Sequence, residues 1–344
     1  MIMNKLRNRR NAWLLAAFML ILIPLAGCSG SDEPTGEQNG QADDGQTYSL
    51  RIGNVLSDTD PITVGLRQMA DTVRERTDGK LDITVYPSSQ LGDTADVLEQ
   101  AKSGTNVGII IDSGILADYV PDMAIYSAPY VFDSIEDARK FIDTDIFKEW
   151  DDALATHGMR DLSFNWYQGA RHFLTNKRVE KPQDLNGLRL RTMGSEVAQE
   201  SMKAFGAIPT SMAWGEVYSG LQSKALDAAE GQITAVYGAS LYEVIDYIAE
   251  TGHFLLYTGL VVSEQWFQSL PEEYQQILLE ESRSAGDYAT ELTLQTEVEQ
   301  KAEMQTAGVE FVTVDIEPFK EASRSVYTTM GWEDLKASID ESIR

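Results

Sequence analysis

Apolar and polar positions fall into regular periods from residue 48 onward. Residues 48–54 alternate with period two and predict a strand. In 61–76 the apolar residues Ile62, Leu66, Met69, Ala70 and Val73 recur at helical spacing, and Asp78-Gly79 ends the run. Residues 81–86 alternate again as a second strand. Residues 93–103 read as a helix with Asp93 as its N-cap. The short apolar run 107–111 suits a strand buried on both faces. This order predicts an α/β layer with right-handed crossovers.

The pattern recurs in type further on. Segments 162–166, 171–175, 188–191, 226–230 and 254–262 read as strands, and 195–205 and 216–223 as helices. Two α/β units with a cleft between them follow, and ligands of such sheets bind outside the carboxyl ends of strands. Pro271 with Glu272 and Glu273 starts a long helical stretch that only Gly286 interrupts before about Thr306. Roughly 35 residues span about 50 Å, more than one domain's width, so one helix should cross both units. Two helices broken near Gly286 are the alternative. There is no internal repeat at a fixed period.

The chain start belongs to targeting, not to the fold. Lys5, Arg7, Arg9 and Arg10 precede an apolar stretch, 12–22, too short for a comfortable membrane span. It ends in Leu25-Ala26-Gly27-Cys28, which resembles a bacterial lipobox, and Cys28 is the only cysteine. Lipidation of Cys28 is the expectation, against an ordinary secretory signal with a chance cysteine. No disulfide can form within the chain. Residues 28–46 are polar and Gly/Ser-rich and read as a flexible tether.

The formal net charge is -26, and loss of 1–27 removes four positive charges to leave -30. Nucleic acid and anionic membrane surfaces are excluded as partners. His157, His172 and His253 lack metal-ligand spacing. No nucleophile elbow, dinucleotide fingerprint or phosphate loop occurs. Asp151-Asp152 reads as a solvated helix surface. No enzyme chemistry, metal or cofactor is expected.

What chemistry there is gathers around Leu188-Arg189-Leu190-Arg191 and Met212-Ala213-Trp214. A guanidinium presents a planar fork that fits a carboxylate, and a nearby indole can cover an apolar ligand body. Arg189 and Arg191 share a strand face, and Arg191 lies nearer the strand's carboxyl end. Gly194 and Ser195 open the next helix, whose free N–H groups favour an anion.

Several segments together resemble the substrate-binding proteins of TRAP (tripartite ATP-independent periplasmic) transporters of the DctP type. They are Tyr86-Pro87-Ser88-Ser89-Gln90-Leu91-Gly92-Asp93, Ala128-Pro129-Tyr130-Val131-Phe132, Leu185-Asn186-Gly187-Leu188-Arg189-Leu190-Arg191, Glu216-Val217-Tyr218 with Leu221-Gln222, and Asp227-Ala228-Ala229-Glu230. The likeness runs from about 48 to 330. It implies an α/β, two-domain periplasmic-binding-protein-like fold with a cleft between domains and a long helix spanning both. Domain I would comprise 47–168 plus 257–296, and domain II 169–256 plus 297–344. A monomer would capture a small carboxylate and deliver it to a small and a large membrane subunit, outside the cytoplasm.

The resemblance makes Arg191 the principal carboxylate clamp, with a surface ion pair as the alternative. Arg171 matches a second cation that often contacts ligand; a structural ion pair is its rival. Trp214 would pack over the ligand, or simply belong to the core. Asp112 would read ligand hydroxyls or cap a helix, and Asp93 would face the cleft or only cap. Relatives often carry an Asn after Glu230 that contacts ligand, where this chain has Gly231. That contact is then lost, shifted to Gln232 or replaced by Glu230. Relatives often have a polar residue where Val55 stands, a place Asn54 or Ser57 would take. Presentation of the ligand to a membrane sensor, and a hydrolase or lyase on the same scaffold, are the rival functions.

Overall fold

The computed structural model describes residues 45–344. The signal segment, Cys28 and most of the tether lie outside the described residues. Strand β1 (Tyr48–Gly53) leads into α1 (Pro61–Arg76), and β2 (Leu81–Tyr86) returns parallel to β1. Asp60 caps α1 by accepting from the Ile62 N–H at 2.9 Å, and Pro61 occupies the first turn, where no donor is required. Helix α2 (Thr94–Lys102) starts in a reciprocal capping box. The Asp96 N–H donates to Asp93 at 3.1 Å and the Asp93 N–H to Asp96 at 3.3 Å. Strand β3 (Val107–Asp112) is buried along its whole length and runs parallel to β1.

Short helices α3 (Ser113–Leu116), α4 (Ile135–Phe141) and α5 (Asp145–Ala155) lead to β4 (Met159–Asp161) and β5 (Trp166–Thr175). A second parallel group follows: β6 (Arg189–Thr192), α6 (Glu196–Ala204), β7 (Ile208–Ser211), α7 (Val217–Gln222), β8 (Ala228–Gln232) and α8 (Ile233–Gly238). The chain then returns through β9 (Tyr247–Ser263), α9 (Glu264–Gln268), α10 (Glu272–Thr306), β10 (Glu310–Thr313), α11 (Glu317–Met330) and α12 (Glu333–Ser342).

The sheet order is β2-β1-β3-β9-β5-β8-β6-β7, with β4 and β10 also paired to β9. The 17-residue β9 is antiparallel to β3 through Gly108↔Val262 and Asp112↔Thr258. It is antiparallel to β5 through Trp166↔Thr258 and Thr175↔Tyr247. Two parallel groups are thus joined by one antiparallel pair of strands that crosses from one to the other. The core lies on both sheet faces; Leu66 and Met69 of α1 and Ala285 and Ala289 of α10 pack over Leu50, Ile52 and Trp166.

Three expectations need correction. Residues 162–165 are not a strand but connect β4 to β5, and β5 runs unbroken from Trp166 to Thr175 with a register shift between Tyr167 and Ala170. Gly169 adopts φ +119° there, and the bulge erases the alternation that marks a strand. Strand β9 begins at Tyr247 and not at 254, because Gly252, at φ +53°, reads as a turn. Asp151 is not a solvated group. Burial pushes its carboxyl up to about 7, against the Arg160 charge and with help from Asp152 and Glu264.

Helix α10 runs through Gly286 without a break. The glycine is there for space. A methyl group at Gly286 would lie 2.7 Å from Asn165 Oδ1 and 2.8 Å from Nδ2. Asn165 docks on that bare turn and donates to the Arg283 carbonyl at 2.7 Å and to Asp287 at 2.8 Å. Further along α10, the Glu297 carboxylate packs against Gly169 in the β5 bulge, facing Tyr167, and burial pushes it up to about 7.

Gly-to-Ala in a helix interior ordinarily stabilises by up to about 1 kcal/mol. Here Gly286→Ala should destabilise by roughly 1–3 kcal/mol, because the methyl evicts Asn165. Denaturant unfolding measures the sign directly. Glu297→Gln tests the second contact. The folded protein keeps a proton that an ordinary Glu releases near 4.5, so stability falls as pH rises from there to about 7 and stays low above it. The Gln variant should exceed the native chain by on the order of 1–3 kcal/mol at pH 8 and match it at pH 4.

Candidate functional site

A cavity of about 240 Å³ lies where the two parallel groups face each other. One wall comes from the end of β3 and the starts of α2 and α3, with Asp93, Ile111, Asp112 and Ile115. The opposite wall comes from the end of β6 and the turn before α7, with Arg191, Met193, Met212 and Trp214. The crossing strands and β8 form the floor through Gln168, Arg171, Gln232, Leu256 and Thr258. All these strand contributors sit near carboxyl ends or on the crossing pair, as an open α/β sheet requires.

Arg171 is 3% exposed and fully engaged with the protein. Its Nε donates to the Glu230 carboxylate, Nη1 to Gln232 Oε1 at 2.7 Å, and Nη2 to the Glu230 carbonyl at 2.9 Å. The antiparallel pairing of β5 with β8 brings these together, since Arg171 stands opposite Gln232. Gln232 in turn donates to Gln168 at 3.0 Å, and Gln168 to Thr258 at 3.1 Å. Glu230 is wholly buried behind the cavity and also accepts from Thr192 Oγ1 at 3.0 Å. Burial raises its carboxyl, but the Arg171 charge and hydrogen bond, with Arg191, outweigh that and hold it below the ordinary range. His253 is also fully buried beside Glu230, stacked on Phe173 at 4.4 Å, and burial pushes its imidazole down to about 3.

Arg191 is bound differently. It is 5% exposed, and its Nε donates to the Met212 carbonyl at 2.9 Å. Its guanidinium carbon lies 5.2 Å from the centre of a Trp214 ring. Buried Nη1 has no hydrogen-bond partner, and its distance of 3.9 Å from Glu230 is beyond bonding range. Burial pushes Arg191 down to about 10 even with the Glu230 charge opposing. An unpartnered buried donor on a cation costs free energy that an incoming anion recovers. Arg189, two residues earlier, is exposed and pairs with Asp227 at 2.8 Å. The strand's two guanidinium groups therefore divide between surface and cavity.

Asp112 lines the cavity and also caps α3, accepting from the Ile115 N–H at 3.2 Å. Burial raises its carboxyl, opposed by that bond and by the Arg171 charge. Asp93 likewise caps α2 and reaches the cavity rim. Each of the two residues thus caps a helix and also lines the cavity. The structure brings Arg191, Arg171, Trp214, Asp112, Gln232 and Asp93 to one cavity; Glu230 stands behind it. Gln168, Met193, Leu256 and Thr258 were not foreseen, because no motif marks them. Among the described residues no cluster of three or more acidic, His or Cys side chains could hold a metal, and no helix is long and apolar enough to cross a membrane.

The two walls also touch at their rims. A methyl at Gly114 would lie 2.8 Å from Ser195 Oγ, and one at Gly238 would lie 2.6 Å from Ser57 Oγ. Ser195 opens α6, and its Oγ has no hydrogen-bond partner.

Comparison with known proteins places this arrangement. Residues 52–334 match the DctP model, described as bacterial extracellular solute-binding protein, family 7. The 2,3-diketo-L-gulonate-binding periplasmic protein YiaO of Escherichia coli K12 is 30% identical over 295 residues, covering 85% of this chain and 89% of that one. An apo, open TRAP periplasmic solute-binding protein from Escherichia fergusonii is 40% identical with a TM-score of 0.76, covering 86% of this chain and 100% of that one. One from Actinobacillus succinogenes with bound L-galactonate is 32% identical with a TM-score of 0.83, covering 86% and 99%. With most of its length matched by the family model, the chain belongs to the DctP family of bacterial extracellular solute-binding proteins, related to those that serve TRAP transporters.

Proposed function

We propose that this protein captures an acidic sugar, as a monoanion, and delivers it to the membrane subunits of a TRAP transporter from a lipid anchor at Cys28. The observation that carries the ligand class is the unequal state of two buried guanidinium groups. Arg171 is neutralised by Glu230, whereas Arg191 lines the cavity and its buried Nη1 has no hydrogen-bond partner. A buried cation with an unpartnered donor suits one carboxylate. Asp112, Gln168, Gln232 and Thr258 supply polar atoms for hydroxyl groups, and Trp214 supplies an apolar face for a carbon skeleton. Relatives named for 2,3-diketo-L-gulonate and sialic acid, and one solved with L-galactonate, support the class.

Capture by hinge closure is part of the proposal. The domain boundaries read from the resemblance meet in space. Residue 169 is the β5 bulge, 256–257 lies on β9 beside the register shift, and Glu297 packs on Gly169. The rim contacts Gly114–Ser195 and Ser57–Gly238 support reading this form as closed. A TM-score of 0.83 to a ligand-bound relative at 32% identity, against 0.76 to an open one at 40%, agrees with that.

A thermal-shift panel tests the ligand class, since binding to the native state alone raises the melting temperature. It should contain L-galactonate, D-glucuronate, galactarate (a carboxylate at both ends of the chain) and sn-glycerol-3-phosphate, a phosphomonoester, at a pH of about 8 where both of the last two are dianions. Monoanionic sugar acids should stabilise the protein at least about tenfold more tightly than either dianion, because no second free cation awaits them. Preference for galactarate or the phosphate would overturn the charge argument. Arg191→Lys should weaken the best ligand by an order of magnitude or more, because a bidentate fork becomes a point charge. Unchanged affinity in that variant would remove Arg191 from its role.

A further inference from the structure

Gly231 is the position of β8 that the ligand chemistry leaves without a task. All five residues of β8 are buried. Glu230 and Gln232 bond to Arg171, and Gly231 lies between them on the opposite face. Its φ is not positive, so the backbone does not call for glycine. The need is for space. A methyl there would lie 3.1 Å from Trp214 Cη2, 3.5 Å from Cζ3 and 3.3 Å from Val236 Cγ2. The far edge of the indole is therefore seated against bare strand.

The same indole braces Arg191, whose guanidinium carbon lies 5.2 Å from a ring centre. Arg191 has one other close anchor, its bond from Nε to the Met212 carbonyl. Trp214 itself begins a short turn, Trp214–Glu216, that no side chain caps and in which no residue is buried. The turn alone holds the ring weakly, so the ring's place depends on what it packs against. Gly231 is at one edge and the cation at its face.

We infer that Gly231 is a positioning residue: the space it leaves seats Trp214, and the seated ring aims the free edge of Arg191 into the cavity. This rests on the reading of Arg191 as the carboxylate clamp. A side chain at 231 would displace the indole, and with it the face that steadies the guanidinium. The chain thus uses a ring packed on backbone at a place where a polar side chain from β8 could otherwise stand.

The test compares Gly231→Ala, Gly231→Val, Trp214→Phe and the double variant Gly231→Val with Trp214→Phe, all in the full mature chain. Two readouts are taken. One is the indole N–H resonance of Trp214, assigned by its loss in Trp214→Phe and read without ligand. The other is the calorimetric Kd for L-galactonate. Gly231→Val should move the Trp214 resonance and raise Kd about tenfold, the scale of a desolvated cation–π contact. Phe lacks the atoms that approach Gly231, so adding Gly231→Val to Trp214→Phe should change Kd less than about threefold. Gly231→Ala should give the same pattern at smaller size, and it carries the test if the Val variant does not fold. An unmoved resonance, or an equal effect of Gly231→Val with and without the indole, overturns the inference. If L-galactonate does not bind the native chain, the sugar-acid reading fails, while the resonance still decides the role of Gly231.

Discussion

The structure depends on how a protein keeps two guanidinium groups buried side by side. Desolvation alone would make each costly, and their mutual repulsion adds to it. Glu230 resolves one half of the problem. It is wholly buried, bonds Arg171 through its carboxylate and its carbonyl, and takes a further bond from Thr192. Arg191 receives only a distant share of that negative charge and a carbonyl at Nε. The result is a buried site in which one guanidinium keeps a donor without a partner. In a chain of net charge -26 this local inversion must be built by burial, because the surface supplies the opposite sign.

The backbone makes that arrangement hold. Arg171 and Glu230 lie 59 residues apart in sequence and meet because β5 and β8 are antiparallel neighbours. Arg191 arrives on β6, parallel to β8 on its other side. The far wall comes from β3, joined to this group only through β9 and β5. The two walls share a single antiparallel crossing, and the bulge at Gly169 with Glu297 against it lies on that crossing. Helix α10 steadies the crossing through Asn165 at Gly286 and through Thr290, which bonds the Asn165 carbonyl at 3.2 Å.

The first half of the chain was legible because local signals agreed. The helical spacing of 61–76, the Asp93 cap and the alternation of β1 and β2 each state one structure. Legibility failed where glycine with positive φ interrupts a strand, as at Gly169 and Gly252, and where the edge strand β7 contains Pro209. Arg191 and Trp214 were readable from residue type, strand position and family likeness. That Arg171 is tied to Glu230 was not, because nothing local reveals which strands pair. Nor was the reason for Gly231, which appears only when the Trp214 ring is in place. Capping and a place at the cavity were posed as alternatives for Asp112 and Asp93, yet both residues cap a helix and line the cavity.

The most direct measurement of the central claim is a crystal structure of the protein with its tightest-binding sugar acid. The account predicts the ligand carboxylate within hydrogen-bonding distance of the Arg191 guanidinium, with Arg171 still bonded to Glu230. A carboxylate held by Arg171 after its pair with Glu230 has opened, or one lodged away from Arg191, would contradict it.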